Sequence, residues 1–257
     1  MFNEIKQFED KLESLSGSSG AFIRSAMYHV NMAEKLIGID YEMSAFRLIT
    51  AEEEAATSII MMLKEHLYEG ASKLKKNDHI HKQCLYPYIA SIAHLMEKDL
   101  DQISGYPPVL EWVTEHGKPA ISLGFRIDVG GKKITMQSTP PLNFKRSNES
   151  GDFDFSKQLL DFLLEKGFDD AVKHLKDTTN QRNRLLYSDG SQIPNSLAET
   201  SNGKFERFAK YQLQKINVLI VIYFMTAPYK RHERARFLEQ TLKGYVKVLD
   251  HVKGKRL

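Results

Sequence analysis

The sequence predicts a mainly α-helical protein, an antiparallel helical bundle with a small β-hairpin insertion. Long segments place apolar residues three and four positions apart, which is the spacing of one helix face. Residues 106–150 instead alternate apolar and polar residues around a Gly-Gly pair, which is typical of a hairpin. With 257 residues, 42% hydrophobic and 27% charged, the chain has the balance of a globular protein with a sizeable core. We therefore expect a single helical domain over residues 1–257, interrupted by the 106–150 insertion.

The first helices are expected on either side of a break rich in serine and glycine. Residues 2–15 have a charged and weakly apolar helical pattern, and residues 16–20 end it, so the next helix should begin there. Residues 21–37 follow with an apolar face, and Gly38 stops this helix. Asp40 can cap a long helix that runs to about residue 67, because its carboxylate accepts a hydrogen bond from a free backbone N–H. The apolar residues expected to face the core are Ile23, Met27, Val30, Ala33 and Ile37, followed by Phe46, Ile49, Ala56, Ile60 and Leu63.

The remaining helices are predicted from the same periodicity. One covers about residues 78–100, and Pro87 requires a kink or a shifted start because it lacks a backbone N–H. After the insertion, whose strands are expected at 121–129 and 132–136, helical patterns return. They cover residues 155–166, 169–186, 205–227 and 231–252. The most apolar run, 216–227, is shorter than the roughly twenty residues that a membrane span needs, so it predicts a buried core helix.

Charge and cysteine content narrow the classes of function. The formal net charge of +3 and the pI near 8.7 permit an anionic partner, but they fall short of the basic surface of a protein that coats DNA. Cys84 is the only cysteine, so the chain cannot form an internal disulfide or a thiolate metal cage. The N-terminal residues lack the apolar stretch of a signal peptide. We therefore expect a cytoplasmic protein without a membrane segment. The sequence contains no nucleotide-binding or cofactor-binding motif, so we expect no cofactor.

The strongest candidate for a functional site is a polar cluster near the end of the helix predicted at 169–186. Arginine has a planar guanidinium suited to phosphate, asparagine both donates and accepts hydrogen bonds, and tyrosine adds a phenol. The cluster has no histidine or cysteine, so no side chain in it is suited to exchange a proton near neutral pH. Its residues, hereafter the 182–189 cluster, are Arg182, Asn183, Arg184, Leu185, Leu186, Tyr187, Ser188 and Asp189.

Three motifs, in their order along the chain, carry a resemblance to a known family. They are the alanine-rich helix with Glu52, Glu53 and Glu54, the segment His79-x-His81-Lys82, and the closing Leu186-Tyr187-x-Asp189. Together they resemble the AbiV-type abortive-infection proteins of bacteria, which are members of the HEPN superfamily of helical bundles. The family pattern has Leu-Gly-Lys after its acidic pair, whereas Ala55, Ala56 and Thr57 stand there in this chain. The resemblance also includes residues 31–33 and skips the insertion, so it covers about half of the chain.

The resemblance implies a bacterial anti-phage protein that binds or cleaves RNA without metal, and a homodimer, as is usual in the superfamily. HEPN ribonucleases share an Arg-x4-His motif. In their reaction the ribose 2′-hydroxyl attacks the adjacent phosphate, arginine neutralises charge and histidine moves a proton. This chain matches the motif at Arg182 and Asn183 but has Tyr187 in the place of histidine. A phenol is almost entirely protonated at neutral pH, so Tyr187 is a poor base, although it can donate to phosphate or stack on a base.

The expected site combines the 182–189 cluster with side chains from other helices. At about 100° per residue, Arg184 and Tyr187 share one helix face, which we expect to line a cleft. Arg182 lies on another face and is expected to pair with Glu53 or Glu54, and a proton acceptor is expected among Glu53, Glu54 and His79. The candidate catalytic residues are Arg182, Arg184, Tyr187, Glu53 and Glu54, and the candidate RNA-binding residues are Asn183, Asp189, His79, Lys82, Lys230, Arg231 and Arg234. The two basic segments around Lys82 and Lys230 are expected to be solvated faces. If both border the cluster, they form a track for an RNA backbone.

Each of these signals also has a structural explanation. The 182–189 cluster is also explained as a helix end whose arginines pair with acids and whose tyrosine packs in the core. Residues 52–54 are also explained as a solvated turn, although the flanking alanines indicate close packing and one inward side chain. His79 and His81 are a poor metal pair, since alternate helix residues project about 200° apart, and we expect no metal site. The two other functional hypotheses are a non-catalytic helical module that binds a phage or host protein, and the toxin half of a toxin–antitoxin pair.

Overall fold

The structure, a computed structural model, describes residues 2–103, 106–167 and 203–254, together with Lys173 and Leu175. It is mainly helical with a small antiparallel sheet of three strands, so this part of the predicted fold class is confirmed. Apart from Lys173 and Leu175, the helix predicted at 169–186 lies outside the described residues, and so does the whole 182–189 cluster.

Two short helices at the N-terminus attach the chain to the core. α1 (Asn3–Lys6) and α2 (Glu9–Leu12) replace the single helix predicted for residues 2–15. The few apolar side chains of this segment are buried, and the Phe8 ring stacks on Phe224 with ring centres 5.9 Å apart. The weak apolar pattern was misleading, because nearly every apolar residue in the segment is used in packing.

The central unit is an antiparallel pair of long helices, α3 (Gly17–Leu36) and α4 (Tyr41–Glu65). α3 begins at Gly17, inside the Ser/Gly break where the sequence predicted its start. Gly38 has a φ of 80°, a left-handed conformation that ends the helix and favours glycine. Asp40 Oδ1 accepts a 2.8 Å hydrogen bond from Met43 N–H, so the predicted cap of α4 is confirmed.

The core faces predicted for these two helices are confirmed with two corrections. Ile37 is exposed, because it lies at the C-cap of α3 in an extended conformation and the helix has already ended. Phe46 is only half-buried. The predicted core residues that are buried are Ile23, Met27, Val30, Ala33, Ile49, Ala56, Ile60 and Leu63.

A loop and two helices follow α4. A 3-10 turn at Ala71–Lys73 leads to α5 (His79–Gln83), which Asp78 caps by accepting a 3.0 Å hydrogen bond from a backbone N–H of the first turn. The next helix, α6 (Leu85–Ile103), has Pro87 in its first turn, where the missing N–H would have no helical partner. The shifted start that Pro87 required is therefore confirmed.

The predicted hairpin is part of a larger sheet. β2 (Lys118–Val129) and β3 (Lys132–Gln137) pair antiparallel on either side of Gly130 and Gly131, which confirms the hairpin. β1 (Val109–Glu115), which the sequence pattern did not predict, pairs with the other edge of β2. The insertion therefore contributes three strands in the order β1-β2-β3.

Apolar side chains cover most of one face of this sheet. Because side chains alternate along a strand, the register places Trp112, Ile121 and Leu123 on the same face. The Trp112 ring packs 5.0 Å from the Phe224 ring and 5.8 Å from the Phe8 ring, which joins this end of the face to the helices. The other end, hereafter the outer sheet face, carries the exposed residues Leu110, Val129, Ile134 and Met136.

The connection after the sheet leads back into helices. A two-stranded ladder of β4 (Ser147–Asn148) and β5 (Gly151–Asp152) precedes α7 (Gln158–Glu165). α8 (Lys204–Thr226) then packs along α4. The predicted core stripe of α8 is confirmed, with Ile216, Leu219, Ile220, Tyr223 and Phe224 buried. Within the described ranges, no helix combines the length and apolar character that crossing a membrane requires.

The last helix, α9 (Arg236–Val252), begins later than the predicted position 231. A turn precedes it, in which Glu233 accepts a 2.8 Å hydrogen bond from Lys230 N–H. His116, in the turn between β1 and β2, contacts the same carboxylate at 2.8 Å and so links the sheet to this turn.

α9 packs closely on α5 and α6. Tyr245 donates a 2.6 Å hydrogen bond to His81 O, and Tyr88 donates a 2.7 Å hydrogen bond to Thr241 O. Gly244 permits this approach, since a Cβ at that position would lie 2.5 Å from Tyr88 Oη. α9 therefore fixes the position of α5, which supplies the site described next.

Candidate functional site

Two of the three consecutive glutamates of α4 are buried, where the sequence predicted one inward side chain. Glu52 is 3% exposed and Glu53 is 4% exposed. The small alanines beside them allow neighbouring helices to approach α4 closely. Because consecutive helix residues point about 100° apart, Glu52 faces α8 while Glu53 faces α5. Glu54, one step further round the helix, is half-exposed.

Glu53 is the centre of a polar cluster that joins two segments far apart in the sequence. Its Oε1 lies 2.8 Å from His79 Nδ1 and 3.0 Å from Gln83 Nε2. Its Oε2 lies 3.0 Å from Lys82 Nζ. The three partners lie on one side of α5, because they are three and four positions apart in a helix. These four residues are hereafter the Glu53 cluster.

The Glu53 carboxyl is held in its ionised form. Burial raises its pKa, but the charge and hydrogen bond of Lys82, together with the hydrogen bond of His79, lower the pKa by more. The pKa of Glu53 therefore lies below its ordinary value. A buried carboxylate without such partners would be strongly destabilising, so Lys82 supplies the counter-charge that this position needs.

His79 is the member of the Glu53 cluster that contacts solvent. Its side chain is 49% exposed, whereas the side chains of Glu53 and Lys82 are buried. An ionised carboxylate only accepts hydrogen bonds, so His79 Nδ1 carries the proton in this contact. In the neutral imidazole, Nε2 then has a free lone pair. A carboxylate that orients an imidazole in this way produces a proton acceptor of the kind that general bases use.

The expectation that Lys82 belongs to a solvated basic patch is wrong. Lys82 is buried and its amine contacts Glu53. Its charge therefore neutralises a buried carboxylate and is not presented to solvent. Lys73, Lys75 and Lys76, in the loop before α5, are exposed. With respect to the described part of the chain, none of these three lysines forms an ion pair, so their charges can attract an anion.

His81 points away from the Glu53 cluster, as the helical geometry predicts. Its Nδ1 accepts a 3.0 Å hydrogen bond from Lys75 N–H, and its Nε2 lies 2.8 Å from Lys253 Nζ. Burial, followed by the Lys253 charge, lowers the pKa of His81. His79 and His81 therefore do not converge on one point. Among the described residues, no group of three or more His, Cys, Asp or Glu side chains is arranged to hold a metal ion.

A second buried ion pair lies on the other side of α4. Lys215 Nζ, from α8, is 3.2 Å and 3.3 Å from the two carboxylate oxygens of Glu52. The same amine lies 4.8 Å from the centre of the Tyr211 ring and 5.9 Å from the centre of the Tyr86 ring, which adds cation–π attraction. The sequence interpretation missed this pair. Its only signal was a lysine directly before the apolar run of α8.

The second basic segment lies away from the Glu53 cluster. Lys230 and Arg231 are exposed, and Arg234 pairs with a carboxylate of α9 at 3.5 Å. The backbone N–H that follows Arg234 donates to Tyr68 Oη, just beyond the C-terminal end of α4. Glu53 lies about 18 Å from that end, at 1.5 Å per helical residue. Glu53, in the middle of α4, is therefore well separated from the point where the second basic segment meets this helix.

The other predicted site residues lie outside the described residues. They are Arg182, Asn183, Arg184, Tyr187 and Asp189. The pairing of Arg182 with Glu53 or Glu54 and the cleft-facing side of Arg184 and Tyr187 stay predictions.

No family model, curated protein or solved structure matches this chain. Its function is therefore inferred from its own residues and their geometry. The Glu53 cluster can accept a proton at His79 Nε2 and hold the resulting imidazolium against a carboxylate. Such an arrangement is suited to acid–base chemistry.

Proposed function

We propose that this chain is an AbiV-like, HEPN-related anti-phage protein of bacteria that binds RNA and cleaves it without metal. The observation that carries the proposal is the 2.8 Å contact between Glu53 and His79. It joins the first two motifs of the family resemblance, 26 residues apart in the sequence, in one site that is open to solvent. The mainly helical fold agrees with the helical architecture of that superfamily.

In this proposal His79 performs the proton transfer for which Tyr187 is poorly suited. His79 Nε2 takes the proton of a ribose 2′-hydroxyl while that oxygen attacks the adjacent phosphorus. Glu53 stabilises the imidazolium that forms. The bond from phosphorus to the 5′-oxygen breaks, and Tyr187 donates a proton to the leaving oxygen, which becomes a 5′-hydroxyl. The other product ends in a 2′,3′-cyclic phosphate.

Positive charge completes the proposed site. Arg182 and Arg184 stabilise the negative charge that develops on the phosphate in the transition state. The exposed Lys73, Lys75 and Lys76 attract the RNA backbone, a contribution that weakens as the salt concentration rises.

The test is cleavage of RNA in the presence of a chelator by the wild-type chain and by His79→Ala. We expect the wild type to cut, and His79→Ala to cut about 100-fold to 10,000-fold more slowly, which is the usual contribution of a general base. Imidazole added to the buffer should restore part of the activity, because it replaces the missing group. His232→Ala, at an exposed histidine in the second basic segment, is the matched control and should cut as the wild type does. Cutting by His79→Ala at the wild-type rate would contradict the proposal.

A second candidate function is a non-catalytic module that binds a phage or host protein. The outer sheet face favours it, because proteins seldom expose contiguous apolar residues unless a partner covers them. In that case phage restriction would survive His79→Ala and be lost in Met136→Lys. Thr135→Lys, on the opposite face of β3, is the matched control. Loss of restriction in His79→Ala alone would instead favour the RNA-directed function.

A further inference from the structure

A second group of side chains suited to a nucleotide lies in the groove between α3 and α4. The two helices run antiparallel, since Ser44 Oγ donates to Ala33 O near one end and Ser19 Oγ donates to Glu65 near the other. Residues of α3 and α4 therefore face each other in pairs along the groove.

Arg47 and His29 form the polar centre of this group. Arg47 Nη1 lies 3.2 Å from His29 Nδ1, and Arg47 Nε is buried without a hydrogen-bond partner. No described carboxylate forms an ion pair with Arg47. A guanidinium with a free charge and an unused N–H is a receptor for phosphate.

His29 contributes a second donor. Burial, followed by the Arg47 charge, lowers the pKa of His29, so the ring is neutral near physiological pH. Its Nδ1 accepts the hydrogen bond from Arg47. The proton of the neutral ring is then on Nε2, which can donate to a ligand oxygen.

Tyr28 adds an aromatic platform beside this pair. Its side chain is 57% exposed, and its ring centre lies 5.5 Å from the His29 ring in an edge-to-face contact. Exposed tyrosine rings stack on nucleic-acid bases of any sequence. The phosphate receptor, formed by Arg47 and His29, is therefore next to the Tyr28 ring on which a base can stack.

This group borders the same exposed stripe of α4 as the Glu53 cluster. Arg47, Thr50 and Glu54 lie on one helix face, and all three are half-exposed. His29 flanks this stripe on one side. His79, which contacts Glu53, flanks it on the other. Six helical residues separate the two contact points on α4, which is about 9 Å.

We propose that Tyr28, His29 and Arg47 form a second nucleotide subsite for the same RNA. The inference rests on the proposed function, because this subsite binds a further part of the RNA strand that is cut at His79. At about 3.4 Å per nucleotide along a stacked strand, the two positions are about two or three nucleotides apart. Arg47 binds the phosphate, His29 donates to a phosphate or ribose oxygen, and Tyr28 stacks on the base.

Glu54 lies on the exposed stripe of α4 beside the His79 position and selects the part of the strand that faces it. Its carboxylate repels phosphate oxygens but accepts hydrogen bonds from ribose 2′-hydroxyls, which DNA lacks. The groove therefore favours single-stranded RNA over single-stranded DNA of the same sequence.

The first measurement is made at the level of the subsite. The full-length chain with labelled histidines is titrated with uridine monophosphate and observed by NMR. We expect a saturable shift of the His29 ring signals that is absent in Arg47→Gln. Ribose phosphate, which has no base, should bind roughly fivefold more weakly or worse, because it cannot stack on Tyr28.

The second measurement uses a short single-stranded RNA and fluorescence anisotropy. Arg47→Gln is expected to raise the dissociation constant about tenfold or more. It should also reduce the slope of log affinity against log salt by about 0.7, the value for one phosphate contact on a single strand. Lys132→Gln, at an exposed lysine at the start of β3, is the matched control. Tyr28→Leu should raise the dissociation constant roughly fivefold, whereas Tyr28→Phe, which keeps the ring, should not.

The outcomes separate the two proposals. Wild-type RNA affinity and salt slope in Arg47→Gln, with cleavage intact, would overturn the subsite and leave the proposed function standing. A uridine monophosphate shift at His29, with RNA binding that weakens in Arg47→Gln but no cleavage by the wild type, would support the subsite and overturn the proposed cleavage. No RNA binding by the wild type would overturn both. If Arg47→Gln fails to fold, Tyr28→Leu against Tyr28→Phe decides in its place.

Discussion

The buried pair of Glu52 and Lys215 should produce the largest stability loss from a single substitution. The two side chains are 4% and 5% exposed, and Lys215 Nζ lies 3.2 Å from Glu52 Oε2. Lys215→Met keeps the length of the side chain and removes its charge, which leaves a buried carboxylate without a counter-charge. Breaking a buried ion pair from one side costs about 3–5 kcal/mol. This is a large share of the roughly 5–15 kcal/mol by which a typical domain is stable.

The measurement is urea unfolding followed by circular dichroism, in a double-mutant cycle with Glu52→Gln. The double variant removes both charges, so it should lose much less stability than the two single losses added together. Lys243→Met breaks the exposed pair with Glu69, whose atoms are also 3.2 Å apart, and should cost less than about 1 kcal/mol. A loss in Lys215→Met no larger than in Lys243→Met, or simple additivity in the cycle, would refute the reasoning.

Three further predictions concern packing, capping and pH. Gly244→Ala should destabilise the chain by about 1–3 kcal/mol, because the new Cβ would lie 2.5 Å from Tyr88 Oη; a melting temperature equal to that of the wild type would contradict this. Asp40→Ala should cost about 1 kcal/mol in urea unfolding, because a backbone N–H of α4 loses its acceptor, while Asp40→Asn should retain most of the stability. Burial and a neighbouring lysine lower the pKa of His81 in the folded chain. The unfolded chain therefore binds more protons at this histidine below its ordinary pKa of 6.5, and the free energy of unfolding should fall as the pH drops through that value. The fall should be shallower in His81→Asn, and equal slopes of unfolding free energy against pH in the two proteins would argue against this origin.

Local signals in the sequence were sufficient for most of the helices. The break at Gly38 and the cap at Asp40 depend only on neighbouring residues, and both lie where they were predicted. Pro87 likewise lies in the first turn of α6, because its ring leaves no backbone N–H to bond further inside a helix. β1 was missed because two prolines precede it and because glutamates alternate with valines on the face opposite Leu110 and Trp112, which obscures the apolar alternation.

The site was predicted only in part, because its pairings are distant in the sequence. Glu53 and His79 were both candidates, but nothing local indicated that one orients the other. The exposed basic face expected for Lys82 was wrong for the same reason, since its partner Glu53 is 29 residues away. The partner of Lys215 is 163 residues away. A lone charged residue in a helix pattern predicts solvent exposure unless its buried partner is known.

The two adjacent buried glutamates of α4 connect this helix to two other helices by ion pairs. Because Glu52 holds α8 and Glu53 holds α5, a turn of α4 about its own axis would strain both ion pairs at the same time. The contact between Glu53 and the half-exposed imidazole at position 79 is therefore coupled to α8 through adjacent residues of α4. A change in how α8 packs against Glu52 would be transmitted to the carboxylate that holds this imidazole.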